Sequence, residues 1–388
     1  MARFDPSLIG GWVAKGFEPV REAFEHNFTQ RSELGAACAV YHAGKLVVDL
    51  WGGYRERASA ARWQKDTLVR VSSATLGPSA LALALAHSRG WLDYDAPVAA
   101  YWPEFAEQHK QDITVRRLLS HQAGLPAIDE PLTPAILRDR EALAAALARQ
   151  APAWEPGARH GYHFYTLGLY ESELLRRVDP QARNLGRFFQ DEIAAPLGLE
   201  LYIGPPPESS ARRIAAMLTP GTLQTVQGLR RAPLPFGVAW LRRASLTHRA
   251  LHAPEAAHMG PGTELPSGHG VGQVRSLAAA YGALAAGGAG LGLARETFAA
   301  LTQPVRAAPD AVLRVRTAFS LGFLRPCPAL RFGSTSRALG MPGLGVSVGF
   351  ADPDTQVGFA YAPNRLRLAF LGDERAEALT QALYTCVG

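Results

Sequence analysis

Near the start of the chain, Val20, Phe24 and Phe28 in "EPVREAFEHNF" repeat at helical spacing, which predicts a helix with one apolar face. The next stretch, "GAACAVYHAGKLVVDLWGG", sets two β-rich runs on either side of His42-Ala43-Gly44-Lys45, the pattern of a hairpin. The chain therefore opens as helix, strand, strand. From Ser79, "SALALALAH" has no polar face, and a helix apolar all round belongs in the middle of a molecule. Residues 93–215 then carry helical patterns such as "DREALAAALARQ" and "NLGRFFQDEIAAPLGL" with few convincing strands.

Towards the C-terminus, "QVRSLAAAYGALAAGG" is helical again, "VSVGFADPDTQVGFAYAPNR" reads strand, turn, strand, and "ERAEALTQALYTCV" closes with a helix. Strands near both ends around a helical middle predict an α/β fold: one antiparallel sheet completed by both chain ends and flanked by helices. On this reading residues 1–75 and 265–388 form the sheet domain, residues 76–264 form an inserted, mainly helical domain, and a cleft lies between them. The Pro- and Gly-rich stretch 203–235 is the expected return crossing, and no internal repeat is seen.

Composition narrows the function classes. A chain of 388 residues with 47% hydrophobic and 19% charged residues is ordinary for a globular protein, not a disordered one. Lys and Arg exceed Asp and Glu by 40 to 34, but the basic residues fall as isolated pairs such as Arg116-Arg117, Arg230-Arg231 and Arg242-Arg243. No cationic run or aromatic-interleaved basic stripe argues for a nucleic-acid partner. Cys38, Cys327 and Cys386 are too far apart in sequence for a C-x-x-C site, so neither a disulfide framework nor a thiolate metal site is expected. No segment approaches the roughly 20 apolar residues of a membrane span, and the N-terminus lacks a secretory pattern; a cytoplasmic location is the expectation. The eleven histidines include no H-E-x-x-H arrangement, so no metal or other cofactor is expected.

Two sequence patterns suggest a nucleophilic serine. "GVSVG" (residues 345–349) fits G-x-S-x-G, but that triad needs a histidine later in the chain, and the last histidine is His269. Ser347 is therefore read as a serine on a sheet strand. The other is "SSATLG", where Ser73 opens the buried helix and Leu76 stands one turn later. Pro78 lacks an N–H, so a regular first turn starting at Ser73 is not expected.

Taken with "WLDYDAPVAAYWPEF", "ITVRRLLSHQAGLPA", "WEPGARHGYHFYTLG" and "GVSVGFADP", these residues make the chain resemble the serine β-lactamase and transpeptidase-like superfamily. Within it, class C β-lactamases and penicillin-binding relatives are similar, and the family VIII carboxylesterases most of all. The resemblance implies Ser73 as nucleophile and Tyr162 as the tyrosine that shares its proton, with His163 beside it. It also implies that Leu76 replaces the lysine of S-x-x-K. In "GMPGLGVSVGF", Met341 stands where the family has a histidine or lysine, and an N–H from Gly343 and Leu344 would join that of Ser73 in an oxyanion hole. Leucine and methionine can neither take a proton nor support a phenolate.

Leu76, His163, Met341, Gly343 and Leu344 are thus expected to line a substrate site for a small, apolar acyl or ester compound. His163 is either a substitute base or a packing and hydrogen-bonding group. Three readings stay open: a serine esterase working through Ser73 and Tyr162 with reduced machinery; a repurposed enzyme cyclising or isomerising an apolar intermediate; and an inert ligand-binding protein. β-Lactam hydrolysis is disfavoured, because the groups that would activate the deacylating water are missing. The oligomeric state is left open.

Overall fold

A computed structural model describes residues 5–252, 264–341, 347–367 and 372–388. The hairpin and the strand pairs expected from the pattern all lie in one antiparallel sheet. Its N-terminal strands are β1 (Ile9–Val13), β2 (Gly35–His42), β3 (Lys45–Glu56) and the short β4 (Ala61–Arg62). The Ala43-Gly44 turn closes the β2–β3 hairpin with φ of 47° and 75°, the left-handed pair that a two-residue hairpin loop requires. A small second sheet joins β5 (Val69–Arg70), β6 (Leu201–Ile203) and β7 (Gly270–Gly272), and a ribbon pairs β8 (Ala308–Pro309) with β9 (Arg316–Thr317). The main sheet continues with β10 (Phe319–Ser320), β11 (Phe323–Leu324), β12 (Leu339–Gly340), β13 (Val348–Asp352) and β14 (Val357–Pro363).

Its strand order is β1-β3-β2-β14-β13-β12-β11-β10, with β4 on β3. The junction of the two chain ends is the β2–β14 pair, in register from His42 opposite Val357 to Ala36 opposite Pro363. All seven residues of β14 are buried, so helices cover the sheet on both sides. The Val274–Ala285 helix packs on β14, β2 and β13, while the Glu18–Gln30 and Glu374–Cys386 helices pack on each other. Two features escaped the pattern. β1 is glycine-containing and short, and β10 to β12 are two-residue strands, too brief to show a period of two.

The Leu76–Ser88 helix behaves as its composition dictates: every residue from Leu76 to Ala86 is buried. It is preceded by a tight 3-10 turn, Ser72–Thr75, and Pro78 falls within the first turn of the α-helix, where its missing N–H leaves no bond unmade. Gly77 lets this helix lie against Tyr281, since a Cβ there would stand 1.8 Å from the tyrosine hydroxyl.

A buried ion network fastens the C-terminal helix to the chain just before β2. Arg375 meets Glu33 at 3.0 Å and Asp373 at 2.7 Å, with the Arg375 and Glu33 side chains fully buried. Tyr361 of β14 donates its hydroxyl hydrogen to the same Glu33. Removing the cation leaves a carboxylate stranded without water, which typically costs about 3–5 kcal/mol. Arg375→Met is expected to lower the urea midpoint by a corresponding amount, and adding Glu33→Gln is expected to restore part of it.

Candidate active site

Ser73 is delivered by a sharp change of direction. β5 runs into Val71, whose N–H bonds to Gly270 O at 2.9 Å, and Ser72 then adopts φ of 45°, an uncommon conformation for a residue with a Cβ. Thr75 bonds back to Ser72 O. It fits because Gly270 has no side chain; a Cβ there would lie 2.0 Å from Thr75 Oγ1. Ser347, the serine of the G-x-S-x-G match, is wholly buried and donates to Val71 O. It braces the strand that leads to Ser73.

Tyr162 comes from the loop before the Thr166–Val178 helix. Its ring stacks on Phe319 of β10 at 5.5 Å and 4° and meets Phe164 and His121 edge-on. Asp310 holds the loop: one carboxylate oxygen accepts from the N–H groups of Tyr162 (3.3 Å), Val312 (2.8 Å) and Leu313 (2.7 Å), and the other from Thr317 Oγ1 (2.9 Å). His160 Nε2 pairs with the same Thr317 hydroxyl at 2.8 Å, so His160 braces the loop.

The Tyr162 hydroxyl lies between two partners. The Ser73 side chain lies beside it, and its hydrogen points at Met341 Sδ, 3.8 Å away. Burial pushes the phenol well above the usual tyrosine range; Ser73 lowers it somewhat, while Asp310, Tyr165 and Glu171 raise it further. Ser73, Tyr162 and Met341 are 3%, 5% and 1% exposed. The pair is therefore nearly dry, and a phenolate there has little support.

The other expected site residues divide. Leu76 is fully buried within the apolar core, its N–H bonded to Ser73 O. His163 faces inward: its Nε2 accepts from Leu125 N–H at 2.8 Å and its Nδ1 meets His121 Nδ1 at 3.0 Å. His121 Nδ1 also accepts the His163 backbone N–H at 3.0 Å, so His163 carries its proton on Nδ1. With both nitrogens engaged and burial pushing it down to about 3, His163 fills the hydrogen-bonding alternative and has no nitrogen left for a substrate. Gly343 and Leu344 lie outside the described residues.

Sequence reasoning missed Asp310, His121 and Phe319, which position the tyrosine from distant parts of the chain. It also missed Glu171, which has no exposure, no hydrogen-bond partner for either oxygen, and a carboxyl that burial pushes up to about 8. A Cβ on Gly322 would sit 3.2 Å from Glu171 Oε1 and 2.6 Å from Ala80 Cβ, so this carboxyl borders the serine-bearing helix one turn beyond Leu76.

Next to the tyrosine loop is a cavity of about 340 Å³ whose walls include Ile128, Leu132, Tyr165, Leu169, Ala250 and Leu265. Tyr165 connects it to the site, meeting Phe164 at 4.5 Å, which meets Tyr162 at 5.6 Å. Among the described residues no group of three or more His, Cys, Asp or Glu side chains could hold a metal ion, and no helix is long and apolar enough to cross a membrane.

A serine at the head of a buried helix, a tyrosine brought beside it from a distant loop and an antiparallel sheet made from both chain ends define a serine β-lactamase/transpeptidase-like fold. The chain belongs to the beta-lactamase family, whose model matches residues 20–384. It is 35% identical over 362 residues to the esterase/beta-lactamase LipL of Mycobacterium tuberculosis, covering 90% of this chain and 81% of that one. Among solved structures it is similar to a family VIII carboxylesterase (36% identity, TM-score 0.84, 97% and 99% of the two chains). A penicillin-binding protein homologue from Caulobacter crescentus matches at 34% identity, TM-score 0.85, over 97% and 99%.

The Glu171 carboxyl makes stability depend on pH. Below the ordinary carboxyl value of 4.5 it is protonated in both folded and unfolded chains, and its favourable contribution is fully present. As pH rises from there to about 8, only the unfolded chain releases the proton, so stability falls. Glu171→Met is expected to flatten this slope. Its melting temperature should exceed that of the wild type by a margin that grows between about pH 5 and about pH 8 and then levels off, read by thermal scans.

Proposed function

We propose that the protein is a serine esterase that acts on a small, apolar ester or acyl substrate through Ser73 and Tyr162. The observation that carries this reading is the placement of the buried Tyr162 hydroxyl beside Ser73 in a chain of the beta-lactamase family. Support comes from the relative named an esterase and the similar carboxylesterase structure. Ser73 Oγ attacks the ester carbonyl carbon and its proton passes to Tyr162. The new C–O bond forms, the old one breaks, and the tyrosine returns the proton to the leaving alkoxide. Water then releases the acyl group by the same route in reverse. With Leu76 and Met341 in place of cations, the step depends on the small fraction of phenolate present, so turnover is slow at neutral pH.

The same reading takes residues 1–75 with 265–388 as the sheet domain and residues 76–264 as the insertion, with the cleft between them. The sheet topology supports this, since every strand of the main sheet lies within residues 9–62 or 319–363. Three free cysteines, two of them buried, support a reducing, cytoplasmic setting. A second reading, a cyclisation or isomerisation of an apolar substrate, is favoured by one feature: the buried Tyr162 hydroxyl points at the apolar Met341 side chain.

Substitution separates the two. Ser73→Ala is expected to abolish p-nitrophenyl ester turnover and labelling by a fluorophosphonate, and Tyr162→Phe to reduce turnover by about 10²- to 10⁴-fold. Absence of any Ser73-dependent adduct by intact mass would overturn the esterase reading.

Turnover by the wild type is expected to climb with pH through the alkaline range without levelling off below about pH 10, because the phenol must lose its proton. Leu76→Lys places an ammonium one turn from Ser73 and favours the phenolate, so it should move that rise to lower pH and increase the rate near neutrality.

A further inference from the structure

Residues 209–254 contain seven arginines and no aspartate or glutamate, although the chain as a whole is nearly balanced. Within that stretch, the Leu234–Leu241 helix has an inner face, with Phe236 and Ala239 buried, and an outer face, with Leu234, Val238 and Leu241 exposed by 78%, 49% and 71%. Those three are spaced i, i+4 and i+7, so they form one stripe. Val226 of the preceding Thr222–Arg231 helix adds a further exposed apolar side chain. Arg230 and Arg231 precede the stripe and Arg242 and Arg243 follow it, all exposed. None of the four arginines makes an ion pair among the described residues.

We propose that this helix pair docks on an anionic lipid surface. Leucines held this far into water by a rigid helix are stabilised by entering a hydrocarbon boundary, and arginines at both ends of the stripe match lipid phosphates. A nucleic acid would satisfy the arginines and leave the leucines wet. An ordinary protein partner gives no reason for a long stretch free of acids. The stripe is too short to span a bilayer and is suited to lying in its interface.

The position of the element connects docking to chemistry, a step that rests on the esterase reading. Just past the stripe, Arg243, His248, Arg249 and His252 join the walls of the cavity of about 340 Å³ that reaches Tyr165. The proposed substrate is accordingly a lipophilic ester that partitions into the lipid phase and enters this cavity from the docked face.

The test is co-sedimentation of the whole chain with vesicles of phosphatidylcholine alone and of phosphatidylcholine mixed with phosphatidylglycerol, at low and high salt. The wild type is expected to sediment with the anionic vesicles, less so at high salt. Leu234→Ser/Leu241→Ser should bind at least tenfold more weakly, and Arg230→Gln/Arg231→Gln/Arg242→Gln/Arg243→Gln should lose the salt dependence. Because the leucines are exposed, circular dichroism of the double variant should match the wild type. Wild type that stays in the supernatant overturns the proposal, as does equal binding by the double variant. Concentration-dependent dimerisation that disappears in the double variant, without vesicle binding, assigns the stripe to a second copy and also overturns it. Vesicle binding by a protein that turns over no ester would leave docking standing and remove only the esterase reading.

Discussion

The burial of the Leu76–Ser88 helix is the constraint on which the rest of the structure depends. A helix without a polar face cannot sit at a surface, so the chain must surround it. The Thr166–Val178 and Leu185–Phe189 helices pack on one part of it, and β11 and the Arg295–Thr302 helix on others. Because Ser73 opens this helix, enclosing it also encloses the serine. The Ser73 hydroxyl is therefore placed in a medium of low dielectric, where each neighbouring charge, or its absence, counts for more than it would in water.

That setting gives weight to the two buried apolar side chains near the serine and the tyrosine, Leu76 and Met341. Tyr162 is held by the stacked Phe319 and by the Asp310 loop anchor, which keep its hydroxyl beside Ser73. Desolvation and the neighbouring Asp310, Tyr165 and Glu171 oppose the phenolate, and neither Leu76 nor Met341 offsets them. Geometry and charge are separate properties of this site, the first set by the loop and sheet contacts and the second by burial.

The docking stripe and the buried site follow opposite rules. Around Ser73 the chain hides polar groups among apolar ones, including the unpartnered Glu171. On the Leu234–Leu241 helix it exposes apolar groups between cations. Both arrangements cost stability in isolation, and both lie against the tyrosine loop, one through the serine and the other through the cavity at Tyr165.

Local pattern alone determined much of this. The β2–β3 hairpin, the β13–β14 pair and the wholly buried helix were legible because short-range periodicity and turn residues report them directly. Ser73 and Tyr162 were legible because their motifs are contiguous in sequence. Ser347 could be set aside because no histidine follows it. Tertiary structure decided what depends on contacts between distant segments: that His163 is used up by Leu125 and His121, that Asp310 anchors Tyr162 from 148 residues away, and that Glu171 is stranded beside Ala80. β1 and the two-residue strands β10 to β12 also belong to that class, since such short pieces acquire their conformation only from the neighbours they pair with. Sequence fixes which groups are present and their local shape, whereas pairing, desolvation and proton affinity are set by what the fold brings against them.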